Sequence, residues 1–245
     1  MRTIKKVASH IFIDGFGGMT QGLFATLIIG TMIQQIGLLI GGSTGNVIYL
    51  LGKAAAALTS AGIGVGVAVK YGESPLVTVS AAVAAMVGGY AGKITGGTFF
   101  VDGNAVLAGP GEPLGAFIAA FAGITCGHLV SGKTKVDIIV TPVITIGAGS
   151  VVGLLVGPPI SQMMTGLGSI INWATEQRPF IMGIVVSVVM GMVLTLPISS
   201  AALGIILNLS GLAAGAATIG CCCNMVGFAV ASYRENKFGG LVAQG

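Results

Sequence analysis

MTQGLFATLIIGTMIQQIGLLI, residues Met19 to Ile40, is an apolar run of 22 residues that contains no charged side chain. A helix that crosses a membrane needs about 20 such residues, because the hydrocarbon core is about 30 Å thick and a helix rises 1.5 Å per residue. The whole chain has this character, with 54% hydrophobic residues, 7% charged residues and a mean hydropathy of +0.98. Soluble domains have about 25% charged residues. The sequence therefore excludes a water-soluble fold and predicts an all-α, polytopic transmembrane helical bundle.

Further apolar runs of similar length bring the predicted total to six or seven spans. After Met19–Ile40 they cover Val47–Val69, Leu76–Tyr90, Leu114–Leu129, Ile138–Val156 and Phe180–Leu196. Beyond Pro197 the chain stays apolar as far as Ala231, which is too long for one ordinary span and too short for two. We expect a hairpin of half-helices there, interrupted by glycine and cysteine.

Two stretches do not fit a simple span. Ala91–Glu112 is rich in glycine and only moderately apolar, which favours a re-entrant or extended segment held between helices. Ile160–Glu176 follows the Pro158-Pro159 pair, where we expect a helix to break, and its amphipathic pattern predicts a helix along the membrane surface. The predicted bundle therefore contains broken helices as well as complete spans.

The basic residues indicate the orientation of the chain. If the N-terminus is cytoplasmic and the spans alternate, eight of the eleven Lys and Arg residues fall on the cytoplasmic side: Arg2, Lys5, Lys6, Lys70, Lys133, Lys135, Arg234 and Lys237. Such a bias is typical of cytoplasmic loops. The net charge of +4 is dispersed over loops without interleaved aromatic residues, so it predicts topology and no nucleic-acid partner.

The stretch GPGEPLG, Gly109 to Gly115, is the most informative polar region. Proline favours the first position of a helix, so we expect a helix to begin at Pro113, with Glu112 beside its unpaired backbone N–H groups. In that position the Glu112 carboxylate could accept hydrogen bonds from ligand hydroxyls, because ionisable groups at membrane depth are usually functional. It could equally be a capping carboxylate that the helix dipole favours.

Four other polar residues are candidates, each with a structural alternative. Asp102 and Asn104 in VDGN could line the same cavity, but Asp-Gly-Asn is also typical of a turn. His128 lies at the predicted end of the fourth span, where it is either an interfacial residue or a site residue. Asn208 lies on a face of small residues that fits close helix packing, although an amide in hydrocarbon needs a partner such as a sugar hydroxyl.

Several patterns argue against other chemistry. GHLVSGKT, Gly127 to Thr134, matches the phosphate-loop expression but joins two membrane spans, whereas that loop requires a strand before it and a helix after it. The four cysteines form no C-x-x-C pair that could hold a metal or a redox disulfide. We therefore expect no metal site, no cofactor and no catalytic residue of the chain's own.

Several long phrases resemble one family of membrane proteins. They are DGFGGMTQGLFATLIIGTMIQQIG from Asp14, GPGEPLGAFIAA, SGKTKVDIIVTP, MGMVLTLPISSAALGI and GCCCNMVGFAVASYRENKFGGLVAQG. Together they are similar to the membrane-embedded IIC-type (EIIC) proteins of the phosphotransferase system, and more narrowly to the branch that includes the clostridial perfringolysin O regulatory protein. The likeness extends over essentially the whole chain.

This resemblance implies a single IIC-like sugar-permease domain over residues 1–245. Members of this branch continue with a further membrane segment, so the resemblance implies that residues 1–245 lack the family's C-terminal end. It also implies a homodimer in the lipid of the bacterial inner membrane and a cytoplasmic IIB partner that phosphorylates the carbohydrate. The chain itself has no identifiable phosphohistidine or phosphocysteine carrier, so it is at most the membrane subunit of a protein-phosphohistidine–sugar phosphotransferase.

The Glu-Pro pair at Glu112 resembles the motif with which such permeases hold sugar hydroxyls, which makes Glu112 the first site residue. Asn104, Asn208, Asp102 and His128 are the weaker candidates. Two functions other than transport stay open: a non-transporting sensor or regulator that uses the same cavity to affect toxin or other gene expression, and a scaffold without a ligand.

Overall fold

The computed structural model describes residues 14–101, 104–107, 109–193, 204, 207 and 209–244. We number the elements in chain order. The helices are α1 (Phe16–Leu23), α2 (Ile29–Ile40), α3 (Gly42–Ala57), α4 (Thr59–Lys70), α5 (Pro75–Gly89), α6 (Ala91–Thr95), α7 (Pro113–Val130), α8 (Asp137–Gln177), α9 (Pro179–Val193) and α10 (Gly211–Gln244). A π-helical turn, Phe24–Ile28, joins α1 to α2, and the two short strands are β1 (Phe100–Val101) and β2 (Asn104–Ala105). The all-α prediction is confirmed.

The described residues contain four helices long and apolar enough to cross a membrane, namely Phe16–Ile40, Pro113–Val130, Asp137–Gln177 and Gly211–Ala231. A fifth span results if α3 and α4 count as one, although they are bent by 52° at Leu58. The third and sixth predicted spans are present as the shorter helices Pro75–Gly89 and Pro179–Met192. We predicted six or seven spans. Among the described residues, four or five helices or helix pairs are long enough to cross a membrane, and two further apolar helices are shorter.

Two predicted interruptions are wrong. Helix α8 continues through Pro158 and Pro159, so the chain does not break there and Ile160–Glu176 is part of that helix. Membrane helices tolerate proline because neighbouring groups satisfy the freed backbone carbonyls. We also predicted a hairpin of half-helices between Pro197 and Ala231. The second part of this prediction is wrong, because Gly211–Ala231 is one helix that is long enough to cross the membrane by itself. Residues 197–203 lie outside the described residues.

The chain divides into two compact units, Met1–Met163 and Met164–Gly245. In the first unit, glycines bring helix backbones into direct contact. A Cβ atom on Gly18 of α1 would lie 2.6 Å from the carbonyl oxygen of Gly66 on α4, and one on Gly22 would clash with the carbonyl of Gly62. Small residues allow this close approach, and dispersion contacts over the matched surfaces stabilise membrane helix pairs.

Helices α5 and α7 pack in the same way. A Cβ atom on Gly115 would lie 2.7 Å from the carbonyl oxygen of Gly88, and Ala84, Ala116 and Ala119 are completely buried. The core of this unit therefore combines alanine and glycine contacts with larger buried side chains such as Leu23, Ile63 and Val67, and α4, α5 and α7 form its centre.

In the second unit, α9 and α10 pack around Val186, Met190 and Ala217. An apolar cavity of about 420 Å³ lies along these helices and is lined mainly by Phe180, Ile184, Leu212 and Ile219.

Candidate functional site

Three interruptions of helices meet at one place in the first unit. They are the bend at Leu58, the end of α5 at Gly89 and the start of α7 at Pro113. The segment predicted as re-entrant or extended, Ala91–Glu112, begins with the short helix α6, and after it β1 and β2 pair in antiparallel fashion. Residues 109–112 then lead to the start of α7. We call residues 109–112 the loop, because they connect this segment to α7.

Hydrogen bonds attach the loop to the helix ends. The backbone N–H of Glu112 donates to the carbonyl of Gly89 at 2.7 Å, and the Ser60 hydroxyl donates to the carbonyl of Pro110 at 3.0 Å. Irregular backbone at membrane depth requires protein partners of this kind, since lipid supplies none. The loop is therefore held by α4 and α5.

Tyr90 provides a third attachment. Its side chain is only 1% exposed, and its ring packs on that of Phe99 with the centroids 5.3 Å apart. Its hydroxyl contacts two carbonyl oxygens, that of Ala57 at the bend between α3 and α4, at 3.2 Å, and that of Gly109 in the loop. Tyr90 thus links the bend to the loop.

The loop conformation requires glycine at position 111. Gly111 has φ = +76°, which L side chains rarely adopt, and a Cβ atom there would clash with the Ser60 hydroxyl. The glycine and the serine together bring the loop against α4.

Glu112 uses its two carboxylate oxygens differently. It is the N-cap of α7, with extended backbone angles (φ −92°, ψ 112°), and Pro113 follows as the first helical residue, as predicted. Oε2 accepts a hydrogen bond of 2.7 Å from the backbone N–H of Gly115. Oε1 is buried and has no hydrogen-bond partner among the described residues. The capping role is therefore real and uses only one of the two carboxylate oxygens.

The opposite end of α7 carries charged residues. His128 Nδ1 lies 3.0 Å from Glu73 Oε1, and the hydroxyls of Ser74 and Ser131 are 2.9 Å apart. Asp137 Oδ1 accepts hydrogen bonds from the Gly132 N–H and the Thr141 hydroxyl. We call this region, residues 70–74 and 128–137, the charged end.

Tyr71, within the charged end, is kept neutral. Burial and then the carboxylate of Asp14 raise the pKa of Tyr71 to about 12. Its hydroxyl therefore stays protonated at any pH near neutrality, and it adds no charge to this region.

The loop and the charged end lie at different levels along the helices. At 1.5 Å per residue, Ser60 is about 15 Å along α4 from Lys70, and Gly89 is about 22 Å along α5 from Ser74. Both distances are shorter than the thickness of about 30 Å of a bilayer hydrocarbon core.

The predicted site residues do not form one cluster. His128 is at the charged end, about 24 Å along α7 from Glu112, so these two residues cannot bind one small ligand. Asn104 is exposed in β2, opposite Val101. Asp102 and Asn208 lie outside the described residues. The structure adds Ser60 and Tyr90, which the sequence analysis did not single out.

The described residues contain no group of three or more His, Cys, Asp or Glu side chains that could hold a metal ion. The phosphate-loop match also lacks its required geometry, because Gly127 to Val130 form the last turn of α7.

Comparison with known proteins identifies a family. The family model described as phosphotransferase system, EIIC matches residues 13–245. No curated protein and no solved structure matches the chain.

Proposed function

This chain belongs to the EIIC family of the phosphotransferase system, and we propose that it binds a carbohydrate through Glu112 and carries it across the membrane. Membership supports a permease component of a sugar phosphotransferase system, with a carbohydrate substrate and a cytoplasmic IIB partner. It also supports a multi-pass membrane protein, in agreement with the four or five apolar spans. The sugar-binding residue and the direction of transport are the new parts of the proposal.

The observation that carries the proposal is the buried Oε1 atom of Glu112, which lacks a hydrogen-bond partner among the described residues. A buried acceptor without a donor costs about 1–3 kcal/mol, and more when it is charged. A sugar hydroxyl is a neutral donor that can fill this position without adding charge to the membrane interior. The loop holds the carboxylate in place, because Glu112 is fixed through its own N–H and through Oε2.

The charged end is the proposed docking region for the IIB partner. Lys70, Lys133 and Lys135 lie there, and His128 is 70% exposed, so a protein that carries a negative phosphoryl group meets positive charge. This assignment puts the N-terminus on the cytoplasmic side, as the distribution of basic residues favours. A sugar bound at Glu112 then has to move toward the charged end to be phosphorylated.

We further propose a homodimer embedded in the lipid of the bacterial inner membrane. Helices α2 and α3 pack mainly on each other and expose large apolar side chains, for example Leu38 (61%), Leu39 (87%) and Leu51 (62%). Exposure of large apolar side chains to water is unfavourable, so lipid or a second copy of the chain covers this surface.

The test uses the full chain in proteoliposomes with a panel of labelled hexoses, hexitols and disaccharides. Wild type should bind at least one member of the panel. Glu112→Gln should weaken that binding at least 10-fold, because a hydrogen bond to a charged acceptor contributes about 1.5–3 kcal/mol. Glu73→Gln is the matched control, because it removes a carboxylate at the charged end and should change binding less than twofold.

Two results would overturn the proposal: a wild type that binds no carbohydrate of the panel, or a Glu112→Gln protein that binds with unchanged affinity. Binding without uptake, in the presence of the IIB partner and a phosphoryl donor, would instead favour the sensor or regulator.

A further inference from the structure

The first unit contains a cavity between α6 and the part of α8 around Pro158. Its volume is about 350 Å³, within the usual range of about 300–1,000 Å³ for small-molecule sites. The lining residues are Gly92, Thr95, Gly96, Pro158, Ser161 and Gln162. None of them belongs to the loop or to the charged end, so this cavity is separate from both.

Glycines bring the two walls of this cavity together. A Cβ atom on Gly92 would lie 3.5 Å from the Ser161 hydroxyl, and one on Gly157 would lie 2.7 Å from the Cβ of Ala91. Gly157 therefore lets the backbone of α8 approach Ala91 closely, whereas Gly92 has room for a Cβ atom in ordinary van der Waals contact. Between these contacts, the polar side chains of Thr95, Ser161 and Gln162 face the cavity.

The chemistry of the lining fits a neutral polyol. The side chains are two hydroxyls and one carboxamide, and no charged side chain lines the cavity. The Thr95 hydroxyl uses its proton on the carbonyl of Ala91 at 2.9 Å, so its lone pairs can accept from a ligand. The Gln162 carboxamide both donates and accepts. The lining offers no opposite charge to hold an ionic ligand, whereas sugar hydroxyls donate and accept hydrogen bonds like the lining groups.

The cavity is close to Glu112. Gly92 comes three residues after Gly89, the residue whose carbonyl binds the Glu112 N–H, and this separation is less than one helical turn of about 5 Å. Tyr90, which holds the loop, lies between them in sequence. The cavity and the Glu112 carboxylate therefore adjoin the same junction of α5 and α6.

We propose that Thr95, Ser161 and Gln162 form a second carbohydrate subsite, which recognises ligand hydroxyls beside the Glu112 position and selects among sugars. This inference rests on the proposed function. It assigns specificity to residues that neither the Glu-Pro pair nor the family match identifies.

The first experiment measures sugar affinity in proteoliposomes, with the panel member that wild type binds best. The double variant Thr95→Val, Gln162→Leu should raise the Kd about 10-fold, because it removes two neutral hydrogen-bonding groups from the cavity. The order of preference within the panel should also change. Gln177→Leu, on the same helix but outside the cavity, is the matched control and should bind like wild type.

The second experiment reports occupancy of the cavity even if the double variant folds poorly. Gln162→Cys is made in a chain whose native cysteines, Cys126 and Cys221 to Cys223, are replaced by serine. A hydrophilic methanethiosulfonate should label Cys at position 162, and the bound sugar should slow this labelling at least threefold.

Each outcome has a defined meaning. Labelling at the same rate with and without sugar, together with unchanged affinity and preference in the double variant, would overturn the subsite while a sugar-binding wild type leaves the Glu112 proposal intact. A wild type that binds no sugar of the panel would overturn both.

Discussion

The two ends of α7 both carry a carboxylate, a positive-φ glycine and a serine hydrogen bond, yet they differ in environment. At the loop, Glu112 has a buried oxygen without a partner, and Gly111 touches Ser60. At the charged end, Glu73 pairs with an exposed His128, and a Cβ atom on Gly132 would meet nothing within 4 Å. The same residue types are therefore tightly constrained at one end and free to vary at the other.

This difference separates two uses of polar groups in a membrane protein. Polar groups at the charged end can exchange partners with water, so each contact there contributes little to stability. At the loop, Oε1 of Glu112 is buried, so a missing contact at that atom is costly. Substitutions of matched residues at the two ends of α7 test this difference.

The glycines should give the largest difference. Gly111→Ala combines an unfavourable backbone angle with a clash against Ser60 and should lower the free energy of unfolding by about 3 kcal/mol, as well as weaken sugar binding. Gly132→Ala has the same backbone cost without the clash and should lower it by about 1 kcal/mol. Thermal unfolding in detergent, followed by tryptophan fluorescence, measures both. Equal losses of stability would mean that the loop is not packed against α4.

Tyr90→Phe should give the next largest effect. It removes the hydroxyl that reaches the carbonyls of Ala57 and Gly109, and the loss of these part-buried hydrogen bonds should cost about 0.5–1.5 kcal/mol. We expect a lower Tm and sugar affinity reduced about fivefold. Tyr49→Phe, on α3, is the control and should leave both values near those of wild type. A Tyr90→Phe protein with normal affinity would show that the loop holds its position without this link.

The two serines should separate stability from binding. Ser74→Ala removes the N-cap of α5 and the contact with Ser131 and should cost about 1 kcal/mol of stability while sugar affinity stays the same. Ser60→Ala removes the hydrogen bond to Pro110 and should weaken sugar binding about threefold. Parallel Tm and binding measurements test the pair. Loss of affinity in Ser74→Ala would connect the charged end to the sugar site.

His128→Ala should have the smallest effect. The imidazole is 70% exposed, so its pair with Glu73 is screened by water and salt and contributes less than about 1 kcal/mol. Stability should fall slightly, less so at high salt, and sugar affinity should not change. Binding titrations at low and high ionic strength measure this. A 10-fold loss of affinity would return His128 to the list of site residues.

Much of the fold could be predicted from local sequence. The starts of α5 and α7 follow from prolines, and the predicted spans Leu76–Tyr90 and Leu114–Leu129 agree with these helices to within one residue. Apolar length and proline position act within a few residues of the chain, so they can be interpreted without knowledge of the packing.

The bend at Leu58 could not be predicted in the same way. No glycine or proline interrupts the chain there, and the carbonyl of Ala57 instead contacts the hydroxyl of Tyr90, which is 33 residues away. The roles of Ser60 and Tyr90 depend on the same long-range contacts. Glu112 could be identified because the Glu-Pro pair is a local signal. The burial of its Oε1 atom without a hydrogen-bond partner among the described residues depends instead on how the helices pack.

The glycine contacts between backbones also determine which codons of this protein can change. Every single-nucleotide change of a glycine codon that alters the residue adds at least a Cβ atom or ends the chain. At Gly18, Gly22 and Gly115 that atom would collide with a neighbouring carbonyl, while at Gly147 and Gly215 it would meet nothing within 4 Å. Natural variants should therefore accumulate at the second kind of glycine, and sequencing of related strains would reveal the helix contacts as positions where glycine persists.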